Sequence, residues 1–164
     1  MEFEFKKVVS DEEILAVERL ADVIWVEHYQ GIIPDGQAKY MTEKFQSKKA
    51  IAEQISEGTE YFLVEVSGKA AGYFAYAFKE NFLYLSKIYV HSDFRKNGIA
   101  SGIFAELEKI SSKKGVGEIR LNVNKYNKLA MLAYEKNGFK VLFSEVSDIG
   151  GGFVCDDFVM SKLV

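Results

Sequence analysis

Cysteine and proline each occur once in these 164 residues, tryptophan once and histidine twice. A single cysteine, Cys155, rules out an internal disulfide framework and fits a reducing compartment. No histidine lies near Cys155 in the sequence, so nothing marks it as a covalent nucleophile. Positive charge is not in excess. The net charge is −3, which gives no reason to expect a nucleic-acid partner. No apolar run approaches the length needed to span a bilayer, so no membrane span is expected. The opening Met1-Glu2-Phe3-Glu4-Phe5 lacks a basic segment followed by an apolar core, and so does not read as a signal peptide. No internal repeat or low-complexity linker is visible. These absences predict a soluble cytoplasmic protein with one domain over residues 1–164.

What is present argues for a well-packed interior, with 48% hydrophobic and 14% aromatic residues. A first strand is expected over Glu2 to Val8. Ser10 and Glu13 then suit a capping box, for a helix carrying Ile14, Val17, Ala21, Ile24 and Trp25 inward. Gly31 and Pro34 end that helix. Further helices are expected over Gln37 to Gln46 and Lys48 to Glu57. Tyr61 to Val66, a Ser67-Gly68 turn and Ala71 to Phe78 read as a hairpin. Leu83 to Val90 is apolar, β-branched and aromatic, as strands prefer, and Ile99, Ile103, Leu107 and Ile110 fall on one helical stripe. Glu118 to Asn124 reads as another strand. Asn127 and Gly138 bracket a helix as its N-terminal cap and its left-handed terminator. Two closing strands, Lys140 to Val146 and Phe153 to Leu163, flank Gly150-Gly151-Gly152. Strand-like residues follow those three glycines, so they read as a hairpin loop and not as a phosphate cradle. The fold class predicted is α/β of the α+β kind, with a mixed, mostly antiparallel sheet of about seven strands and helices on both faces.

The chemistry concentrates where strand gives way to helix. Arg95-Lys96-Asn97-Gly98-Ile99-Ala100 is a glycine-bearing turn at the start of a helix, where free N–H groups and the helix dipole favour phosphate. About thirty residues on, Asn127, Ala130, Tyr134, Gly138 and Phe139 make the pattern N-x-x-A-x-x-x-Y-x-x-x-G-F. Together with R-x-x-G-x-A, in that order and on matching strand–helix units, this segment resembles the GNAT superfamily of acyl-CoA-dependent N-acetyltransferases. The resemblance is closest over Phe82 to Phe139 and implies the GNAT fold, including a splayed parallel strand pair. It implies acetyl-CoA as co-substrate and no metal. The pantetheine arm is then expected along Ile88, Tyr89 and Val90, and the pyrophosphate on Arg95, Lys96, Asn97, Gly98, Ile99, Ala100 and Ser101. Asn127 is the further cofactor contact. Ala100 stands where many relatives have glycine.

The resemblance also assigns Tyr134 as the acid that protonates the departing thiolate, and a backbone N–H near Tyr89 or Val90 as oxyanion donor. The glutamate that several relatives carry on the strand before the phosphate turn is missing. Lys87 is the most central ionisable group of that strand. Glu27, His28, Asp156 and Asp157 are therefore the candidate bases or amine contacts, with a water chain as the other route. His28 falls on the inward stripe of the first helix, which equally suits a packed core histidine. Of two consecutive strand residues only one faces inward, so one of Asp156 and Asp157 is expected there.

The run around Trp25, Glu27, His28 and Tyr29 resembles a bacterial GNAT subgroup that includes enzymes acetylating spermidine and spermine. The expected partner is a small-molecule amine, with polyamines among the candidates and a homodimer left open. Two alternatives stand beside that reading: a non-catalytic acyl-CoA-binding regulatory module, and an enzyme acting on a protein or peptide amine.

Overall fold

The computed structural model describes residues 2–164. Its first helix begins where the capping box placed it. The Ser10 hydroxyl accepts the Glu13 N–H at 3.2 Å, while the Glu13 carboxylate accepts the N–H groups of Ser10 and Val9 at 2.8 and 2.9 Å. Those backbone donors hold the Glu13 carboxyl down to about 2. From there the chain runs β1 (Glu4–Lys7), α1 (Asp11–Tyr29), α2 (Gln37–Phe45), α3 (Lys48–Ser56), β2 (Glu60–Val66), β3 (Lys69–Phe78) and β4 (Leu83–Val90). A 3-10 turn, Ser92–Phe94, leads into α4 (Ile99–Lys114), then β5 (Glu118–Asn124), α5 (Lys128–Lys136), β6 (Lys140–Gly150) and β7 (Phe153–Leu163).

The strands form one sheet of seven in the order β1-β2-β3-β4-β5-β7-β6. Every neighbouring pair is antiparallel except β4–β5. Each face carries its own core. On one, Ile99, Ile103, Phe104 and Leu107 of α4 bury Leu83, Leu85, Ile119 and Leu121. On the other, the α1 stripe of Ile14, Val17, Ala21, Ile24 and Trp25 covers Leu63, Tyr73 and Ala75. A polar chain threads this second core. Trp25 Nε1 donates to the Tyr73 hydroxyl at 2.7 Å, which donates to Gln46 at 2.7 Å, and the Gln46 amide donates to the Tyr61 hydroxyl at 3.0 Å. The Tyr61 hydroxyl in turn donates to the Gln54 side-chain oxygen. Gln46 is wholly buried, so each of these bonds spares a desolvated polar group of roughly 1–3 kcal/mol if left unmade.

Two boundaries differ from the sequence expectation. β1 is shorter than Glu2 to Val8, because its ladder with β2 covers only Glu4 to Lys7. β6 runs on to Gly150, held by pairing of Ser147, Asp148 and Gly150 with Cys155, Val154 and Phe153. The triple glycine is the hairpin turn anticipated, and it docks on α2. A Cβ at Gly150 would lie 2.6 Å from the Tyr40 hydroxyl. Tyr40 in turn donates to Ile149 O at 2.9 Å, and Gln37 Nε2 donates to Val154 O at 2.8 Å.

Candidate active site at the strand splay

The parallel pair is short. β4 and β5 align through Leu83–Ile119, Tyr84–Arg120 and Leu85–Leu121, and pairing stops there although both strands continue. The cause lies in β4. Ser86 is an extra residue opposite the Ala75–Tyr76 step of β3, and its hydroxyl bonds Ala75 O at 3.2 Å. Such a bulge turns the strand and increases its twist. β4 then follows β3 while β5 follows β7, and the two part. His91 N donates to Ala71 O at 2.8 Å. By strand alternation Tyr89 therefore also faces β3, and the backbone groups of Ile88 and Val90 face the gap.

At the end of β4 the chain makes the phosphate-type turn. Lys96 and Gly98 take left-handed φ values of 63° and 78°. Among the described residues, the N–H groups of Lys96, Asn97, Gly98, Ile99, Ala100 and Ser101 donate to no protein group. Successive N–H groups in such a turn, at the positive end of a 16-residue helix, make an anion cradle. The side chains hold the turn in shape. Asn97 Nδ2 bonds the carbonyls of Phe94 and Arg95 at 3.2 and 3.1 Å, and Arg95 Nε returns to Val90 O at 3.1 Å. Ser101 Oγ bonds Asn137 at 3.3 Å, tying this turn to the far end of α5.

Between the parted strands lies a cleft walled by Ser86, Ile88, Tyr89, Asn122, His28, Tyr29, Asn127 and Tyr134. Tyr134 stands edge-on to Phe104 and Phe139 at 6.1 and 6.2 Å. Burial first, and Tyr29 second, keep its phenol protonated far above the ordinary range. Asn127 is 6% exposed. Its Oδ1 caps α5 by accepting Ala130 N–H at 3.2 Å, and its Nδ2 lies 2.8 Å from His28 Nε2. Burial, and then the Arg95 guanidinium, push His28 down to about 4, so its ring is neutral at ordinary pH. The hydroxyls of Tyr29 and Tyr89 lie 3.2 Å apart, and burial pushes Tyr29 up to about 12.

Not every expected residue joins this group. Trp25 is 2% exposed and spends its N–H on Tyr73, so it backs the wall without reaching the cleft. Glu27 points to solvent. Asp156 pairs with Lys125 at 2.8 Å. Asp157 takes the other face, as alternation required, and accepts Asn122 Nδ2 at 3.2 Å. Its register partner Glu145 shares that amide at 3.4 Å. Burial, Glu145 and Asp156 raise the Asp157 carboxyl against the pull of Asn122. Lys87 is half-buried, and burial pushes it down to about 8. Ser86, Asn122, Tyr84 and Glu145 were not singled out in the sequence. Tyr84 donates to Asn122 Oδ1 at 3.0 Å, but this polar group forms only once β4, β5, β6 and β7 are side by side.

The described residues hold no helix long and apolar enough to cross a membrane. They also hold no cluster of three or more His, Cys, Asp or Glu residues suited to a metal ion.

Comparison with known proteins agrees with the geometry. Residues 10–154 match the family model described as "Acetyltransferase (GNAT) domain". The chain is 27% identical to the spermidine N(1)-acetyltransferase of Thermoplasma acidophilum, over 99% of this chain and 98% of that protein. It superposes on the crystal structure of the PaiA N-acetyltransferase from Thermoplasma acidophilum in complex with coenzyme A, with a TM-score of 0.84 and 25% identity, over the whole of both chains. A shorter segment, 44% of the chain, is 36% identical to 44% of the thialysine N-epsilon-acetyltransferase of Bos taurus. The chain belongs to the GNAT family and is an acyl-CoA-dependent N-acetyltransferase.

Proposed function

We propose that this enzyme moves an acetyl group from acetyl-CoA directly to a primary amine of a small molecule, and that the acceptor is a polyamine of the spermidine class. The observation that carries the reading is the run of unpartnered N–H groups from Lys96 to Ser101, beside the gap that Tyr134 lines. That run suits a pyrophosphate, with Arg95 and Lys96 adding charge. The N–H groups of Ile88 and Val90 and the Ile88 carbonyl, left unpaired where β5 departs, suit the amides of the pantetheine arm, with Asn127 as a further contact. Acetyl-CoA, when bound, supplies an acyl group activated as a thioester. Tyr134 holds a proton at its hydroxyl for the departing thiolate. A phenol is a weaker acid than a thiol, and burial weakens Tyr134 further, so this proton transfer is uphill and positioning of amine against thioester does most of the work. The proton that the amine nitrogen gives up leaves through water, since β4 carries no acid. Tyr89 faces β3, which leaves the Val90 N–H as the oxyanion donor.

Support for a polyamine comes from the acceptor side. Asp157 and Glu145 are cross-strand neighbours with no ion pair among the described residues, held only through Asn122. Like charges opposite one another cost stability, and a second ammonium on the acceptor offsets that repulsion. Tyr84 reaches the same group, its hydroxyl donating to the Asn122 amide that bonds Asp157. The spermidine relative adds weight.

The test is CoA release from acetyl-CoA across spermidine, spermine, single amino acids and aminoglycosides, with mass detection of the acetylated product. Polyamine turnover that falls when Asp157 is replaced by Asn is the expected result. Turnover of another amine with polyamines inert would overturn the polyamine assignment.

A further inference from the structure

We propose that His28 is a positioning residue for the acyl-CoA site: it fixes the Asn127 amide, and through it the start of α5, instead of exchanging a proton with the acceptor. The inference rests on the acetyltransferase reading and adds a role for a residue outside both sequence motifs. Three observations carry it. Asn127 Oδ1 is committed to the Ala130 N–H, so the amide orientation is set and Nδ2 is the atom turned toward His28. Nδ2 can only donate, so His28 Nε2 must accept, and the ring proton sits on Nδ1. The ring itself is gripped edge-on by Tyr29 at 4.7 Å and by Tyr89 at 5.3 Å.

The bond joins residues 99 apart in sequence and two elements on opposite faces of the sheet. It lies at the cleft where β4 and β5 have parted, and no strand ladder holds α1 to α5 there. With Nε2 occupied, His28 can take a proton only by giving up Asn127. Burial, and then Arg95, keep the ring neutral, so Nε2 has a lone pair to accept with.

Calorimetric titration with coenzyme A tests the idea without knowledge of the acceptor. His28→Ala should bind coenzyme A about tenfold more weakly, the size of one buried neutral hydrogen bond left unmade. His28→Gln, whose side-chain oxygen can still accept from Asn127, should recover most of that loss. H28A/N127A should bind no more weakly than N127A alone, because the two residues act through one bond. Should H28A fail to fold, His28→Leu fills the aromatic slot without an acceptor and takes its place. Unchanged coenzyme A binding in H28A, or losses that add in the double variant, would overturn the proposal. So would kcat lost equally in H28A and H28Q with binding intact, which would make His28 a proton carrier. A wild-type protein that bound no coenzyme A would remove the acetyltransferase reading itself.

Discussion

Tyr134 shows how one residue's surroundings divide binding from chemistry. Its ring is packed by Phe104 and Phe139, so replacing it with Phe keeps the shape of the wall and removes one oxygen. Tyr134→Phe should therefore lower kcat by about a hundredfold, at the lower end of what a positioned acid contributes. Coenzyme A binding should stay within about twofold, since uniform binding does not depend on the acid. Steady-state kinetics beside calorimetry checks both, and an unchanged kcat would remove the acid role. Asn127 differs, because one amide serves as helix cap and as partner of His28 at once. Its substitution removes both roles at once, and comparison with the double variant isolates the bond to His28.

At the scale of elements, the turn between β4 and α4 carries the largest consequence. Gly98 has a φ of 78°, and a Cβ there would meet nothing within 4 Å. The space above it is open, so a side chain costs conformational strain of roughly 1–2 kcal/mol and does not break packing. Gly98→Val should thus leave a folded protein that melts slightly lower and has lost most of its affinity for coenzyme A, by thermal denaturation and calorimetry respectively. Local elements were readable in the sequence because their causes are local. The capping box at Ser10 and Glu13, the stripe of α1, the turn at Gly98 and the cap at Asn127 each depend on neighbours within a few residues. The splay was expected only through family likeness. Its physical cause is the extra residue Ser86, which has no signature until β3 lies alongside. The same holds for His28 and Asn127, and for Asn122 between Tyr84, Glu145 and Asp157: side chains from distant strands and helices meet only in the fold. Trp25 falls on the inward stripe of α1, as its helical spacing required, and its N–H bonds Tyr73 inside the second core.

Across the whole molecule, the sheet behaves as two halves. β1 to β4 form one ladder and β5 to β7 another, and they share only the pairing from Leu83 to Leu85 with Ile119 to Leu121. A ligand lying in the gap contacts both halves and binds the folded state alone. Coenzyme A at a hundred times its Kd should add about 2.7 kcal/mol of stability. For a chain of this size that is a rise in Tm of about 5–10 °C. Pantetheine, which lacks the pyrophosphate for the Gly98 turn, should raise it less at equal concentration, as differential scanning calorimetry would record. Equal shifts for the two ligands would mean that the turn takes no phosphate. The lone tryptophan gives this two-part architecture an optical readout. Trp25 lies 5.1 Å from Tyr89, on the strand that borders the gap, and is screened from water. Its emission is therefore a label-free gauge of β4, blue-shifted at rest and sensitive to any ligand that moves that strand.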